Sequence, residues 1–339
     1  MIDEDELIDW LRRRTARRGG RWIGDDAAVL PESEQWAVTM DSQIEGVHFL
    51  SGLDPALIAR RLLAVNLSDL AAMGALPGYA FLALSAPPDF DHQRFFSTLA
   101  DACESFDLEL AGGDLSQHSH VAAVLTLLGY RPREHRWLRR ADARRGEALW
   151  LGGTVGEAAA GLRLLQRGAR LEGSILRLPK NFDLPPALIG AASRAMRRHL
   201  SPQPQLELGN WLGTCPAGAA IDVSDGLARD LHRLCSHSGV GAELELASLP
   251  LSDDLIELAG SIGSDWRQLV LGGGEDYVLL FTLPADTRPP RPFACRKVGT
   301  IVQGSVVLEE EGKRRPLPPY GWDHLAKKSP ANGQGFLER

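Results

Sequence analysis

Three consecutive glycines, Gly272-Gly273-Gly274, lead directly into Glu275 and Asp276, and then into the apolar run Tyr277–Phe281. Glycine lets a backbone bend and approach another group closely. An acid at the mouth of a buried strand costs free energy unless something positive meets it. The chain must therefore fold so that this bend is compensated. The pattern recurs. Trp36-Ala37-Val38-Thr39-Met40 runs into Asp41, and Ala219-Ala220-Ile221 runs into Asp222-Val223-Ser224-Asp225-Gly226. Gly24 precedes Asp25-Asp26, and Gly112-Gly113 precedes Asp114. Carboxylates delivered to glycine bends and strand ends by five separate segments are how a multi-metal phosphate site is assembled from hard oxygen ligands.

A chain of 339 residues exceeds one ordinary core, so two domains are expected. Its 44% hydrophobic and 24% charged content describes a globular, enzyme-like protein. A net charge of -7 argues against a nucleic-acid partner, which would call for a basic surface. Cys103, Cys215, Cys235 and Cys295 are scattered, which excludes a zinc ribbon or disulfide scaffold and suits a reducing compartment. The acidic start Met1-Ile2-Asp3-Glu4-Asp5 is unlike a signal peptide, and no apolar stretch is long enough for a membrane span. The cytoplasm is the expected location.

Periodicity predicts an α/β chain. Residues 3–18 read as an amphipathic helix, and Trp36–Asp41, Tyr79–Ser85 and Val121–Tyr130 as strands. A helix between the first two strands has Asp54 as N-cap, Pro55 at its first position and Gly74 at its end. A second set begins with a strand at Ala148–Leu151, and Gly153 and Gly156 open the helix after it. A strand to Asp222, a helix over Leu227–His237 stopped by Gly239, and a strand at Tyr277–Phe281 follow. The arginine-rich stretch Arg131–Arg145 separates the sets, dividing the chain into domains 1–145 and 146–326. Leu171–Pro186 reads as a loop and 327–339 as a disordered tail.

Asp69 is the acid hardest to explain structurally, because its helix is apolar nearly all round and Asn66 shares its face. Pairing with a buried arginine is one reading; a metal ion is the other, favoured by the several further acids without matching bases. Asp25 and Asp26 also suit a simple turn, and Ser224 or Asp225 a helix cap, which is compatible with phosphate binding at a helix N-terminus. His48 stands alone among apolar neighbours, as structural histidines do. No Gly-x-x-x-x-Gly-Lys-Ser/Thr, His-Arg-Asp or Asp-Phe-Gly occurs, which excludes P-loop and protein-kinase folds.

Seven segments in order carry a family resemblance: Ile23–Val29, Thr39–Phe49, Asn66–Gly74, Gly112–Asp114, Ile221–Leu227, Gly272–Phe281 and Tyr320–His324. Together the chain resembles the thiamine-monophosphate kinase family, within the superfamily that includes aminoimidazole ribonucleotide synthetase. The resemblance implies a two-domain fold of that superfamily and a homodimer whose N-terminal domains join their sheets. It implies transfer of the γ-phosphoryl of ATP to thiamine monophosphate. Magnesium ligands would be Asp26, Thr39, Asp41, Asp69, Asp114, Asp222 and Asp225. ATP would meet Gly113, Asp114, Arg140 and Ser224, and thiamine monophosphate would meet His48, Glu275 and Trp322. Met40 stands where the family usually carries Thr or Ser as a metal ligand, so either its backbone carbonyl serves or one ion site is altered. Trp322 replaces a common tyrosine and keeps an aromatic face. The competing readings are another ATP-dependent enzyme of the superfamily and a non-catalytic binder of nucleotide or thiamine phosphate.

Overall fold

The computed structural model describes residues 27–29, 35–173, 175–216, 218–323 and 325. The helix expected over 3–18, the turn with Asp25 and Asp26, His324 and the tail expected over 327–339 lie outside the described residues. The described chain forms two compact units. One comprises residues up to Trp137, Gly209–Thr214 and residues from Asp323; the other comprises Leu138–Leu208 and Cys215–Trp322.

The first unit is built on β1 (Ala28–Val29), β2 (Trp36–Ile44), α1 (Pro55–Ala72), β3 (Leu76–Ala86), α2 (His92–Ser105), β4 (Glu109–Gln117) and β5 (Ala122–Tyr130). Its sheet has the order β1-β2-β5-β3-β4, antiparallel except for the parallel pair β3 and β4, which α2 connects. The Asp54 side chain accepts the N–H of Ala56 at 2.9 Å, Pro55 opens α1, and Gly74 leaves it with φ 68°. Helix α1 is apolar nearly all round because all but a few of its residues, the exposed Arg60 among them, are buried, packed on the sheet and against α2. Alternation along the strands puts Ala80, Leu82, Leu84, Ala123, Leu125 and Leu127 under the helices. The other face is open. It carries Met40, Ile44, Tyr79, Phe81 and Tyr130, all exposed, with Trp36 stacked on Tyr79 at a ring separation of 5.8 Å.

The second unit has a seven-stranded sheet in the order β14-β13-β10-β12-β6-β11-β9. Its strands are β6 (Ala148–Leu151), β9 (Ala220–Asp222), β10 (Gly241–Glu245), β11 (Leu279–Leu283), β12 (Arg296–Val302), β13 (Val307–Glu310) and β14 (Lys313–Pro316); β7 (Arg170–Glu172) and β8 (Ile175–Arg177) form a separate hairpin. The helices are α3 (Glu157–Gln166), α4 (Ile189–Leu200), α5 (Leu206–Thr214, shared between the units), α6 (Leu227–Ser238), α7 (Leu255–Ser261) and α8 (Trp266–Gly272). Central β11 is buried throughout, and α3 packs along α4.

Two expectations need correction. Leu171–Pro186 is not all loop, because Gly173, with φ 62°, turns the chain so that β7 and β8 pair and Arg177 meets Glu172 at 2.8 Å. The strand expected from Tyr277 begins at Leu279. Tyr277 has φ 49°, incompatible with an extended strand, and its N–H donates to Val223 O at 2.9 Å. Among the described residues no helix is long and apolar enough to cross a membrane.

Candidate active site

In the first unit, Thr39 lies on the α1 side of β2, and its Oγ1 donates to Asp69 Oδ2 at 2.5 Å. Asp41, two residues on, falls on the same side, and one of its oxygens accepts the N–H of Ser42 at 2.8 Å. Asn66, one turn before Asp69, is fully buried and donates Nδ2 to Leu62 O at 2.8 Å. The fully buried Arg61 donates Nε to Gln43 Oε1 at 2.9 Å. Met40 is 65% exposed on the open face, so its side chain points away from Asp69. His48 follows β2 and accepts the N–H of Ile44 at Nδ1, 3.0 Å away.

Gly113 and Asp114 lie elsewhere on this sheet. Asp41 pairs with Leu125, Leu125 with Leu82, and Leu82 with Gly113, so one row crosses the sheet from β2 to β4. Three strand spacings separate Asp41 from Gly113, about 14 Å. Asp114 pairs with Ala83 and shares the open face with Met40. Within one chain, therefore, Asp114 does not join Thr39, Asp41 and Asp69. Gly113 is glycine because a Cβ there would sit 1.9 Å from Leu82 O.

In the second unit three loops converge. Glu275 N–H donates to Ser224 O at 2.7 Å, and Trp322 N–H donates to Asp225 O at 2.8 Å. Arg229 closes the third side, its N–H on Tyr320 O at 3.1 Å and its Nη1 on Trp322 O at 2.5 Å. Gly274, with φ 68°, permits this approach, since a Cβ there would lie 2.6 Å from Ser224 O. Glu275 itself has φ 63° and places Oε2 3.1 Å from Nδ1 of the buried His199. Asp222 ends β9 beside Leu279 and is buried. Ser224, Asp225, Glu275 and Trp322 are thus gathered around one turn.

Two buried acids that sequence reasoning gave no role organise this turn. Neither Ser224 nor Asp225 caps α6; instead Asp230, within its first turn, accepts the N–H groups of Asp225 and Gly226 at Oδ2, both at 3.1 Å. Arg233 Nη1 bridges Asp225 Oδ2 at 2.5 Å and Asp230 Oδ1 at 3.1 Å. The expectation of acids without nearby bases therefore does not hold at Asp225. Burial, and then the negative charge of Asp225, push Asp230 up to about 7, against the pull of Arg233 and Arg140. Arg140 opens the short turn Arg140–Asp142, and its carbonyl accepts from Ser238 Oγ at 2.6 Å. Asp276 accepts the N–H of Gly156 at 2.8 Å and of Ala158 at 3.3 Å, capping α3 from a distant part of the chain. Burial pushes it up to about 7 as well, opposed by those donors. The sequence signal for Asp276 was its place at the glycine bend; Asp230, between Arg229 and Arg233 on a helix, carried none.

The donor set is all oxygen, which suits magnesium over softer metals. Among the described residues no three acidic, histidine or cysteine side chains converge on one point. Magnesium asks for only one or two carboxylates when waters and phosphates complete its shell, so the Thr39–Asp69 pair with Asp41 alongside fits it.

Residues 24–130 match the family model described as AIR synthase related protein, N-terminal domain. The fold and the glycine-bend acids define the chain as a mixed α/β member of the AIR synthase-related superfamily. The chain is 38% identical over 318 residues to the thiamine-monophosphate kinase of Salmonella typhimurium, covering 90% of this chain and 91% of that one. It is 31% identical to the Aquifex aeolicus thiamine-monophosphate kinase, covering 96% of this chain and 98% of that one. A solved structure of AaThiL complexed with AMPPCP and TMP superposes with a TM-score of 0.81 at 30% identity, covering 95% and 97% of the two chains. The chain belongs to the thiamine-monophosphate kinase family.

Proposed function

We propose that this chain phosphorylates thiamine monophosphate with ATP and magnesium, giving thiamine diphosphate and ADP. The observation that carries the reading is the convergence of Ser224, Asp225, Glu275 and Trp322 around one turn in a chain of this family. A phosphate-handling turn, a carboxylate and an aromatic face there match an acceptor that is at once an anion, a flat ring and a cation.

Thr39, Asp41, Asp69, Asp222 and Asp225, with Asp26 outside the described residues, are assigned to holding magnesium. Several magnesium ions, when bound, would neutralise and align the phosphates of donor and acceptor. Gly113, Asp114, Arg140 and Ser224 are assigned to ATP; His48, Glu275 and Trp322 to thiamine monophosphate. The acceptor is a phosphate monoester, largely deprotonated at neutral pH, so no side chain has to abstract a proton. The role of the protein is to hold donor and acceptor in line.

The chain is proposed to act as a homodimer in the cytoplasm, with residues 1–145 as the metal-, ATP- and dimer-forming domain. The exposed apolar face bearing Met40, Tyr79 and Phe81 supports pairing of two first units. Such pairing would also let Asp114 serve the site of the other copy, where its own chain holds it far from Asp41. Met40 brings no side-chain oxygen, so any ligand at that position is its backbone carbonyl.

Incubation with ATP, magnesium and either thiamine monophosphate or free thiamine tests the reading. Thiamine diphosphate should form from the monophosphate alone and only without excess EDTA. Equal use of free thiamine, or activity that survives EDTA, contradicts it.

A further inference from the structure

We propose that Asp230, together with Arg233, is a positioning residue for the nucleotide: it sets the backbone of the Ser224–Gly226 turn and aims the Asp225 carboxylate. The inference rests on the reading of that turn as part of the ATP and magnesium site. Asp230 is completely buried, and both its oxygens are committed, one to two backbone N–H groups and the other to Arg233. A helix N-terminus needs far less than this, since an exposed Ser, Thr or Asp at the cap position suffices. Burying a carboxylate and a guanidinium to the same end costs desolvation that capping alone does not require.

What the buried pair adds is geometry. Arg233 ties the carboxylate of Asp225 to Asp230, so the side chain and main chain of Asp225 are fixed from the same buried oxygen pair. Arg140 lies close enough for its charge to act on Asp230, which links a second residue assigned to ATP to the same point. Both Asp230 oxygens are already engaged by the protein's own groups. Asp230 acts through Asp225, Gly226 and Arg233.

The test is calorimetric binding of a non-hydrolysable ATP analogue, with magnesium, to the full-length wild-type protein and to Asp230→Asn and Arg233→Met. Loss of a charged hydrogen bond at a positioning residue should raise the dissociation constant at least about tenfold in both variants. The KM for thiamine monophosphate should stay within about twofold of wild type, a split that a merely destabilised protein would not show. Glu147→Gln supplies the structural comparison, because Glu147 is also a buried carboxylate, bonded to Thr282 Oγ1 at 2.6 Å and outside the three loops. It should lower the melting temperature without weakening the analogue. Should Asp230→Asn fail to fold, Arg233→Met decides. Analogue binding as tight as wild type in the folded variants, or the same weakening in Glu147→Gln, overturns the inference. A wild-type protein that binds the analogue but makes no thiamine diphosphate overturns the proposed acceptor and leaves this inference standing.

Discussion

Asp276 Oδ2 accepts the backbone N–H of Gly156 from 2.8 Å away, across 120 positions of sequence. The acid at the glycine bend is thus met by the positive end of α3, with no basic side chain needed for the contact. It locks the Gly272–Glu275 bend to the start of a helix in the same unit, and so holds Glu275 where it faces Ser224 and His199. Removing it in Asp276→Ala leaves buried N–H groups without an acceptor and should cost about 1–3 kcal/mol in urea unfolding. The pH dependence has a definite sign. With Asp276 pushed up to about 7, the folded protein keeps a proton on it that the unfolded chain releases near the ordinary carboxylate range. Its contribution to stability is therefore greatest below about pH 4 and is lost as pH rises through about 7. The melting temperature of wild type relative to Asp276→Asn should fall between about pH 4 and about pH 7 and level off above. A constant difference would mean that Asp276 does not titrate there.

Thr39 orients Asp69 through a single hydroxyl. Thr39→Val keeps the shape and removes that donor, so the magnesium concentration for half-maximal activity should rise severalfold, while Thr39→Ser stays near wild type. Titration of activity against magnesium reads this directly. Equal magnesium requirements for Val and Ser would remove Thr39 from the metal site.

Much of the local structure was legible in the sequence because its causes are local. The start of α1 follows from Asp54 and Pro55, and its end from Gly74; the stop of α6 follows from Gly239. The family resemblance points to Thr39, Met40 and Asp41 alike as ligand positions, and the structure turns Met40 to the face opposite the other two. What could not be read there depends on residues distant in sequence. The cap on α3 comes from Asp276, and the row from Asp41 to Gly113 exists only once strand order is known. Asp230, on a helix between Arg229 and Arg233, is turned inward to two N–H groups and an arginine that the sequence spacing does not reveal. The β7–β8 hairpin was missed because its strands are only three residues each, too short to show a period.

Trp322 is fixed at both backbone ends, its N–H on Asp225 and its carbonyl on Arg229, which leaves the ring as the variable part. Stacking on a cationic thiazolium or a flat pyrimidine contributes on the order of 1–2 kcal/mol. Trp322→Ala should raise the KM for thiamine monophosphate about tenfold, leave that for ATP unchanged, and be largely rescued by Trp322→Tyr. A lower melting temperature with both constants unchanged would assign the ring to packing instead.

Phe81 is 42% exposed on the open sheet face, in register with Thr126 and, through it, with Met40. A charge there should be tolerated by a monomer and resisted by a paired sheet. Phe81→Asp should shift the mass seen by light scattering from two copies to one, with a fold unchanged by circular dichroism. A mass equal to that of wild type would show that this face is not the contact.

The central claim is transfer of a phosphoryl group onto a phosphate, and it is tested most directly by following the γ-phosphorus of ATP. With labelled ATP, magnesium and thiamine monophosphate, the label should appear in the terminal phosphate of thiamine diphosphate, one for each ADP formed. Label released as inorganic phosphate, with ADP formed and no thiamine diphosphate, would contradict the account and point to another ATP-dependent chemistry on the same fold.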